Sequence, residues 1–324
     1  ILLFKKFKMI IKKNLMESYK YFNYIYNYHL SLNSKVSILL YHRILPSFKD
    51  NPFGTFVSLN KFEHQISYIK DKYNIISLNE LFDIKKNKKI PKHHKVVLTF
   101  DDGYIDNFKY VYPILKKYSI PASFFVLTNY VNSQETTWDW NLFKIIYESN
   151  NIEKLTNIDL PPKILSKNKK ELLWNLVNYF KYQNPEKRNQ YINKISNKLS
   201  FDNFNYNENR SMNWDEIKEM SSNLINFGSH GLTHTSLYNQ TNIFVNNELI
   251  ESKKLIEKKL KQKCNSFSFP FGSRNDFSNP LIRMVLNIYD ICLLNIPGSN
   301  IIKNNNLFFK RLIMHNNSNP KYLF

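Results

Sequence analysis

The stretch "VVLTFDDGYIDNF", residues 96–108, joins an apolar run to two adjacent carboxylates. Its first five residues are mostly β-branched or aromatic, which favours a buried strand. Asp101 and Asp102 follow, and Gly103 then permits a tight turn. Two neighbouring carboxylates repel each other, so one pKa should rise unless a cation or a hydrogen-bond donor lies close by. The stretch therefore predicts a buried strand that ends at a functional site.

Other strand-like runs alternate with helical patterns along the chain. The predicted strands are 36–42, 74–78, 95–100, 122–127, 224–230, 266–272, 290–295 and 308–314. The clearest helical patterns between them are 58–73, 107–121 and 245–261. Strands that alternate with helices predict an α/β fold with a mostly parallel sheet, either layered or closed into a barrel.

Residues from about 130 to 213 interrupt this alternation. The segment is rich in Asn and Lys, and its clearest patterns, 170–182 and 187–199, are helical. We interpret it as a helical insertion over the mouth of the fold rather than as an independent domain.

The bulk composition limits the classes of protein that fit. The chain has 324 residues, of which 43% are hydrophobic, enough to form one large core. No run of 18 apolar residues predicts a transmembrane helix. Residues 1–30 form a predicted basic leader or helix that lacks signal-peptide features and could contact a membrane surface. These features favour a cytoplasmic or membrane-peripheral protein, with the cell envelope as the alternative.

The formal net charge of +20 favours anionic partners in general. However, the basic residues are almost all Lys, are spread along the chain, and form no nucleic-acid-binding motif. We therefore predict no nucleic-acid partner.

A second polar strand end, "SHGLTH" at 229–234, contains His230 and His234. This His-x-x-x-His spacing places both imidazoles on one side of a helix or tight loop, where they can share a metal. Two histidines that merely cap a core are the alternative. The Asp101–Asp102 pair could supply a third ligand and leave one carboxylate free as a base.

Three motifs in this order resemble those of a known family: "TFDDG" (99–103), "SHGLTH" (229–234) and "FSFPFG" (267–272). They are similar to the first three motifs of polysaccharide deacetylases, also called NodB-homology proteins or carbohydrate esterase family 4. The segments "ILLYHRI" (38–44) and "MNWDEIKEM" (212–220) resemble the branch associated with exopolysaccharide and surface-glycan synthesis. We therefore predict one catalytic domain over residues 31–324.

The resemblance implies a distorted, incomplete (β/α) barrel of about seven strands. It also implies a metal-dependent hydrolase that removes the N-acetyl group from an N-acetylhexosamine unit of a polysaccharide or glycan precursor. Asp102, His230 and His234 match the family's ligands for a divalent metal, commonly zinc. Asp101 matches the general base, which takes a proton from the attacking metal-bound water.

The third motif implies further roles and contains a departure. Phe271 matches the residue whose backbone N–H stabilises the oxyanion, and Pro270 and Gly272 beside it would support the substrate pocket. The family's arginine two residues before the proline is replaced by Ser268. Arg311 is a candidate substitute, and a surface arginine is the alternative.

The general acid is less well defined by the motifs. The segment "RLIMH" loosely resembles the family's last motif, which makes His315 a candidate acid for the leaving amine. His42 is the rival, because it also ends a predicted strand.

Two further interpretations differ in function. The same fold could cleave another C–N bond or an O-acetyl ester, or it could be a glycan-binding module with a degenerate site. The basic surface and the long insertion weakly favour a large or anionic glycan. The sequence leaves the oligomeric state open.

Overall fold

A computed structural model describes residues 35–322 apart from 88–90, 92, 134, 202–208, 223 and 303–307. The predicted leader at 1–30 lies outside the described residues. No helix in these ranges is both long and apolar enough to cross a bilayer.

The main elements alternate as the sequence predicts. The strands are β1 (Lys35–Tyr41), β2 (Arg43–Leu45), β3 (Phe56–Ser58), β4 (Asn74–Ile75), β5 (Lys95–Phe100), β6 (Ala122–Val126), β7 (Ile225–Ser229), β8 (Ser266–Ser268), β9 (Ile291–Leu294), β10 (Asn300–Ile301), β11 (Phe309–Lys310) and β12 (Leu312–Ile313). The α-helices are α1 (Leu59–Lys72), α2 (Leu78–Lys86), α3 (Tyr112–Tyr118), α4 (Trp138–Glu148), α5 (Lys169–Phe180), α6 (Pro185–Lys198), α7 (Trp214–Met220), α8 (Asn242–Leu260) and α9 (Asn279–Leu286).

The main sheet nearly closes into a barrel, as predicted. Its strands follow the order β10-β1-β5-β6-β7-β8-β9-β11, and β12 pairs with β1. All of these pairs are parallel except β10 with β1. Because β11 pairs with β9 while β12 pairs with β1, the segment 309–313 joins the two ends of the sheet. The strand is interrupted at Arg311.

Side-chain alternation along β5 decides which residues face the barrel interior. Val97 packs in an apolar cluster with alternate residues of β1, β6, β9 and β11, beside residues of α2. Val96, Leu98 and Phe100 instead join the larger core between the strands and their helices. Because successive side chains of a strand point to opposite faces, Thr99 and then Asp101 follow Val97 toward the interior.

Two predicted strands are shorter in the structure, each for a local reason. The strand predicted at 266–272 ends at Ser268, because Pro270 has no N–H to donate and Phe271 has a left-handed φ of 63°. The strand predicted at 74–78 ends at Ile75, because Ser77 and Glu80 form a capping box that starts α2.

In its described residues the insertion contains three α-helices, α4, α5 and α6, which share an apolar cluster that Phe56 of β3 also joins. Asn168 caps α5 by accepting a hydrogen bond from Glu171 N, and Asn184 caps α6 by accepting from Glu186 N and Lys187 N. Residues of α4 and α5 also wall a cavity at the carboxyl ends of the barrel strands. The predicted helical insertion over the mouth is therefore present.

Candidate active site

The carboxyl ends of several strands meet at one cavity of about 280 Å³. The strand-end residues that line it are His42, Asp101, Asp102, His230, His234 and Phe271. Parallel strands of a barrel present their carboxyl ends at the same edge, which brings residues far apart in sequence together.

Asp102, His230 and His234 form one buried cluster. Asp102 Oδ1 lies 3.4 Å from His230 Nε2 and 3.5 Å from His234 Nε2. One possible ligand atom from each residue lies within 4.8 Å of the other two. Asp102 has a left-handed φ of 74°, a conformation that Asp and Asn tolerate better than most residues.

Hydrogen bonds on the far side of each imidazole fix its orientation. His230 Nδ1 lies 2.8 Å from the Ser268 carbonyl oxygen, which can only accept, so Nδ1 carries the proton. His234 Nδ1 lies 2.9 Å from Asp139 Oδ1, a carboxylate oxygen that accepts, so His234 Nδ1 also carries the proton. Each neutral imidazole therefore turns the lone pair of Nε2 toward Asp102.

The donor set of this cluster fits a divalent metal. Asp102 Oδ1 is buried and has no hydrogen-bond donor among the described residues. The two Nε2 lone pairs and the carboxylate oxygen face one another, an arrangement that a bound cation would satisfy. A set of two nitrogens and one oxygen suits zinc and leaves coordination positions for water and substrate.

The carboxylates near His234 favour positive charge at this position. Burial lowers the pKa of His234, but Asp139 and Asp102 outweigh it and hold that pKa above its usual value. Burial raises the pKa of Asp102, but His230, His234 and His42 outweigh it and hold that pKa well below its usual value. The electrostatic field of the two aspartates is therefore suited to a cation at this position.

Asp101 has a separate partner, Arg311. Arg311 Nη1 donates to Asp101 Oδ1 at 2.8 Å, and Nη2 donates to Oδ2 at 2.7 Å. Ser268 Oγ donates to Oδ2 at 3.0 Å and accepts from Arg311 Nη2 at 2.8 Å. All three side chains are buried. Arg311 is therefore not a surface arginine, and Ser268 belongs to the same network.

This pairing keeps Asp101 ionised. Burial raises the pKa of the Asp101 carboxyl, but the Arg311 guanidinium and His230 outweigh it, and the pKa lies below its usual value. A buried carboxylate with a bidentate arginine is held in one orientation as well as in one charge state.

The third motif forms a turn beside the cluster. The Phe271 ring stacks on the His234 imidazole, with centroids 4.7 Å apart and planes 18° apart. The Phe271 N–H donates to no acceptor within the described part of the chain. Gly272 N donates to Pro270 O at 2.7 Å, and a Cβ on Gly272 would lie 3.0 Å from Asn295 N. Pro270 and Gly272 shape the turn but do not line the cavity.

The two candidate acids lie in different places. His42 lines the cavity, and its Nδ1 is buried without a partner among the residues described. Its pKa is lowered by burial, while Asp102 and Asp101 oppose that shift. His315 is exposed, has Nδ1 2.6 Å from the Gly54 carbonyl oxygen, and is absent from the cavity lining.

Sequence reasoning missed two carboxylates that hold the histidines in place. Asp139 lies in the first turn of α4, where an acidic residue is ordinarily interpreted as favouring the helix dipole. Glu248 on α8 accepts hydrogen bonds from Leu232 N at 2.6 Å and from Thr233 Oγ1 at 2.6 Å. It lies on the buried face of the helix beside Val245 and Leu249, and a charged residue there was the available signal.

A family model described as polysaccharide deacetylase matches residues 88–196 and 185–284, more than half of the chain. The chain belongs to the polysaccharide deacetylase family. The matched segments contain both aspartates, both histidines and the third motif.

The alignments to individual curated relatives cover less of the chain than the family model does. A poly-beta-1,6-N-acetyl-D-glucosamine N-deacetylase of Staphylococcus aureus is 39% identical over 79 residues, which is 24% of this chain and 27% of the relative. The alignments to the curated relatives thus span about a third of their length or less.

Solved structures of similar fold cover most of the chain. The Streptococcus pyogenes deacetylase PplD, determined in complex with acetate, aligns with a TM-score of 0.58 and 21% identity over 89% of this chain and 96% of that one. IcaB from Ammonifex degensii aligns with a TM-score of 0.56 and 17% identity over 87% and 92%. These likenesses establish the barrel fold of the family.

The Asp139–His234 contact gives a prediction about metal affinity. Asp139→Ala removes the acceptor that orients His234, so zinc affinity should fall by about 10- to 100-fold. Competition titration against a zinc-binding dye measures it. Asp215→Ala is a matched control, because Asp215 also lies in the first turn of a helix but is exposed. Equal zinc affinity in the Asp139 and Asp215 variants would refute the positioning role.

Proposed function

We propose that this chain is a metal-dependent N-deacetylase that acts on an N-acetylhexosamine unit of a glycan. One observation carries the proposal: Asp101 and Asp102 are adjacent, buried and engaged by different partners. One carboxylate is thus available as a metal ligand and the other as a base. Family membership supports the reaction class, and the name of the S. aureus relative supports an N-acetylglucosamine polymer as the substrate.

Asp102, His230 and His234 would hold the divalent metal, for which zinc is the leading candidate. When bound, such a metal supplies Lewis-acid polarisation of the amide carbonyl and lowers the pKa of a water molecule. The hydrogen bonds from His230 Nδ1 and His234 Nδ1 keep both Nε2 atoms available as ligands.

Asp101 acts as the general base. It is ionised because Arg311 lowers its pKa, and the bidentate contact fixes its orientation. A positioned carboxylate of this kind removes a proton from the attacking water as the new C–O bond forms. Ser268, at the position of the family arginine, strengthens the hold on Asp101 Oδ2.

Phe271 and His42 complete the proposed machinery. The unpaired Phe271 N–H can donate to the carbonyl oxygen as it gains negative charge. His42 lines the same cavity as the two aspartates, whose charges oppose the lowering of its pKa by burial. Its protonated form would give a proton to the leaving amine, and the proton that Asp101 takes from the attacking water would replace it. We assign this role to His42 rather than His315, because His315 is exposed and does not line the cavity.

Metal removal tests the proposed function. Protein treated with a chelator and dialysed should release no acetate from N-acetylglucosamine oligomers, and added zinc should restore the release. An acetate assay on treated, untreated and reloaded protein measures this. Full activity in the chelator would contradict the proposal, and release from O-acetyl esters alone would point to an esterase.

Arg311 gives a pH prediction. Above its lowered pKa Asp101 is an ionised base, and activity is lost as the pH falls through that pKa. Arg311→Lys loses the bidentate contact, so the pKa of Asp101 should rise and the acid limb of kcat/KM should move to higher pH.

Arg311→Met should move the acid limb further and lower the free energy of unfolding by about 3–5 kcal/mol, because a buried charge loses its partner. pH–rate profiles and chemical denaturation measure the two effects. Arg283→Lys, an exposed change on α9, is the control. An acid limb that stays in place in the Arg311 variants would refute the assignment of Asp101.

A further inference from the structure

Helix α5 of the insertion presents one face to the cavity. Trp174, Val177 and Asn178 line it, followed by Lys181 at the C-cap of the helix. These residues are spaced three, four and seven positions apart, so they lie on one side of the helix. The insertion thus contributes residues that the barrel strands do not supply.

Trp174 is unusual because it is both large and exposed. Its exposed fraction is 39%, and among the four exposed large hydrophobic residues of the described chain it alone lines the cavity. Its Nε1 donates to Pro52 O at 3.2 Å, and its ring packs edge-on against Phe53 with centroids 5.6 Å apart. The indole is therefore held in place with apolar surface left open to solvent. A fixed, exposed aromatic at a cavity marks a binding surface.

Among the described residues, the cavity wall offers an anionic ligand no unpaired lysine or arginine. The two cations that line it are already paired: Lys181 Nζ lies 2.9 Å from Asp276 Oδ1, and Arg43 Nη2 lies 2.9 Å from Asp106 Oδ1. Asp101, Asp102 and Asp139 line the same cavity. The overall charge of +20 therefore supplies no unpaired lysine or arginine to the described lining, and these carboxylates are themselves held by Arg311 or the histidines.

Neutral hydrogen-bonding groups are available instead. Trp140 lines the cavity, is only 6% exposed, and its indole Nε1 has no acceptor among the residues that the structure describes. A buried N–H without an acceptor costs free energy unless a ligand supplies one. Hydroxyl or acetyl oxygens of an uncharged sugar are suitable acceptors.

We propose that the cavity takes an uncharged glycan chain and that the sugar next to the reacting unit stacks on the Trp174 indole. The apolar C–H face of a pyranose ring matches the exposed face of the indole. This inference deepens the proposed function and rests on it for the identity of the reacting unit. It replaces the weak expectation of an anionic glycan with one for a neutral polymer.

A second cavity offers the rival path for the chain. Its volume is about 770 Å³, and it shares Phe56 and Trp140 with the first. Its lining includes charged side chains, Lys144 and Glu148 among them, and the Tyr147 ring. Because Trp174 is the fixed and exposed aromatic, we place the neighbouring sugar on the α5 side.

Chain-length dependence tests the inference. The wild type should show a higher kcat/KM for the N-acetylglucosamine tetramer than for the monomer. Trp174→Ala should reduce kcat/KM for the tetramer by about three- to tenfold and reduce kcat/KM for the monomer by a clearly smaller factor. Trp174→Phe should retain most of the preference, because it keeps an aromatic face. Leu224→Ala is the matched control, since Leu224 is also 39% exposed but lies before β7, at the opposite end of the strands.

Other results would overturn the inference. Loss of the tetramer preference in Tyr147→Ala but not in Trp174→Ala would place the chain in the second cavity. If Trp174→Ala reduced kcat/KM by the same factor for the monomer and the tetramer, Trp174 would have a general structural role and the stacking site would be wrong. A hyaluronan tetrasaccharide, which carries carboxylates, should bind more weakly than the uncharged tetramer, and tighter binding would refute the neutral substrate class.

A binding measurement separates this inference from the reaction itself. Asp102→Asn protein should bind the uncharged tetramer in a calorimeter, and adding Trp174→Ala should weaken that binding by the same three- to tenfold factor, about 0.6 to 1.4 kcal/mol. If the wild type released no acetate while this dependence held, the proposed reaction would be wrong and the glycan site would stand. If the wild type released acetate without any dependence on Trp174, only the stacking site would be wrong.

Discussion

Two adjacent carboxylates lie inside this barrel and are divided between different partners, a guanidinium for one and a cluster that could hold a cation for the other. Arg311 holds Asp101, while Asp102 faces two imidazoles oriented toward it. Without this division the buried pair would share a proton, and neither carboxylate would be fixed in its role. The left-handed φ of Asp102 supports the division, because it changes the direction of the chain between the two side chains.

The closure of the barrel makes this arrangement possible. Arg311 lies at the break between β11 and β12, where one part of the segment pairs with β9 and the other with β1. At this position its guanidinium reaches both Asp101, which follows β5, and Ser268, the last residue of β8. The segment 309–313 therefore completes the sheet and also supplies Arg311, which takes the place of the family arginine that is Ser268 in this chain. Helices α4 and α5 of the insertion form another wall of the cavity, to which they contribute Asp139 and Trp174.

Much of the fold and part of the site could be predicted from the sequence. The alternating strands and helices, the insertion and the meeting of the His230–His234 pair with the aspartate pair follow from local patterns and motif spacing. The choice of Asp102 over Asp101 as the third member of the cluster came from the resemblance to the family. The contact between Arg311 and Asp101 could be suspected but not decided, because 210 residues separate the pair and only strand pairing determines their proximity. Asp139 had no local signal, since an acidic residue in the first turn of a helix is ordinary. The sequence also could not decide between His42 and His315 as candidate acids, because that choice depends on which strand ends face the cavity.

The division of the carboxylates is tested most directly by the metal content of two matched variants. Asp101→Asn and Asp102→Asn each change one carboxylate to an isosteric amide. After loading with zinc and dialysis, elemental analysis should find about one equivalent in the Asp101 variant and almost none in the Asp102 variant, while neither should release acetate at more than background. Zinc retained by the Asp102 variant and lost from the Asp101 variant, or wild-type acetate release by either, would contradict the account.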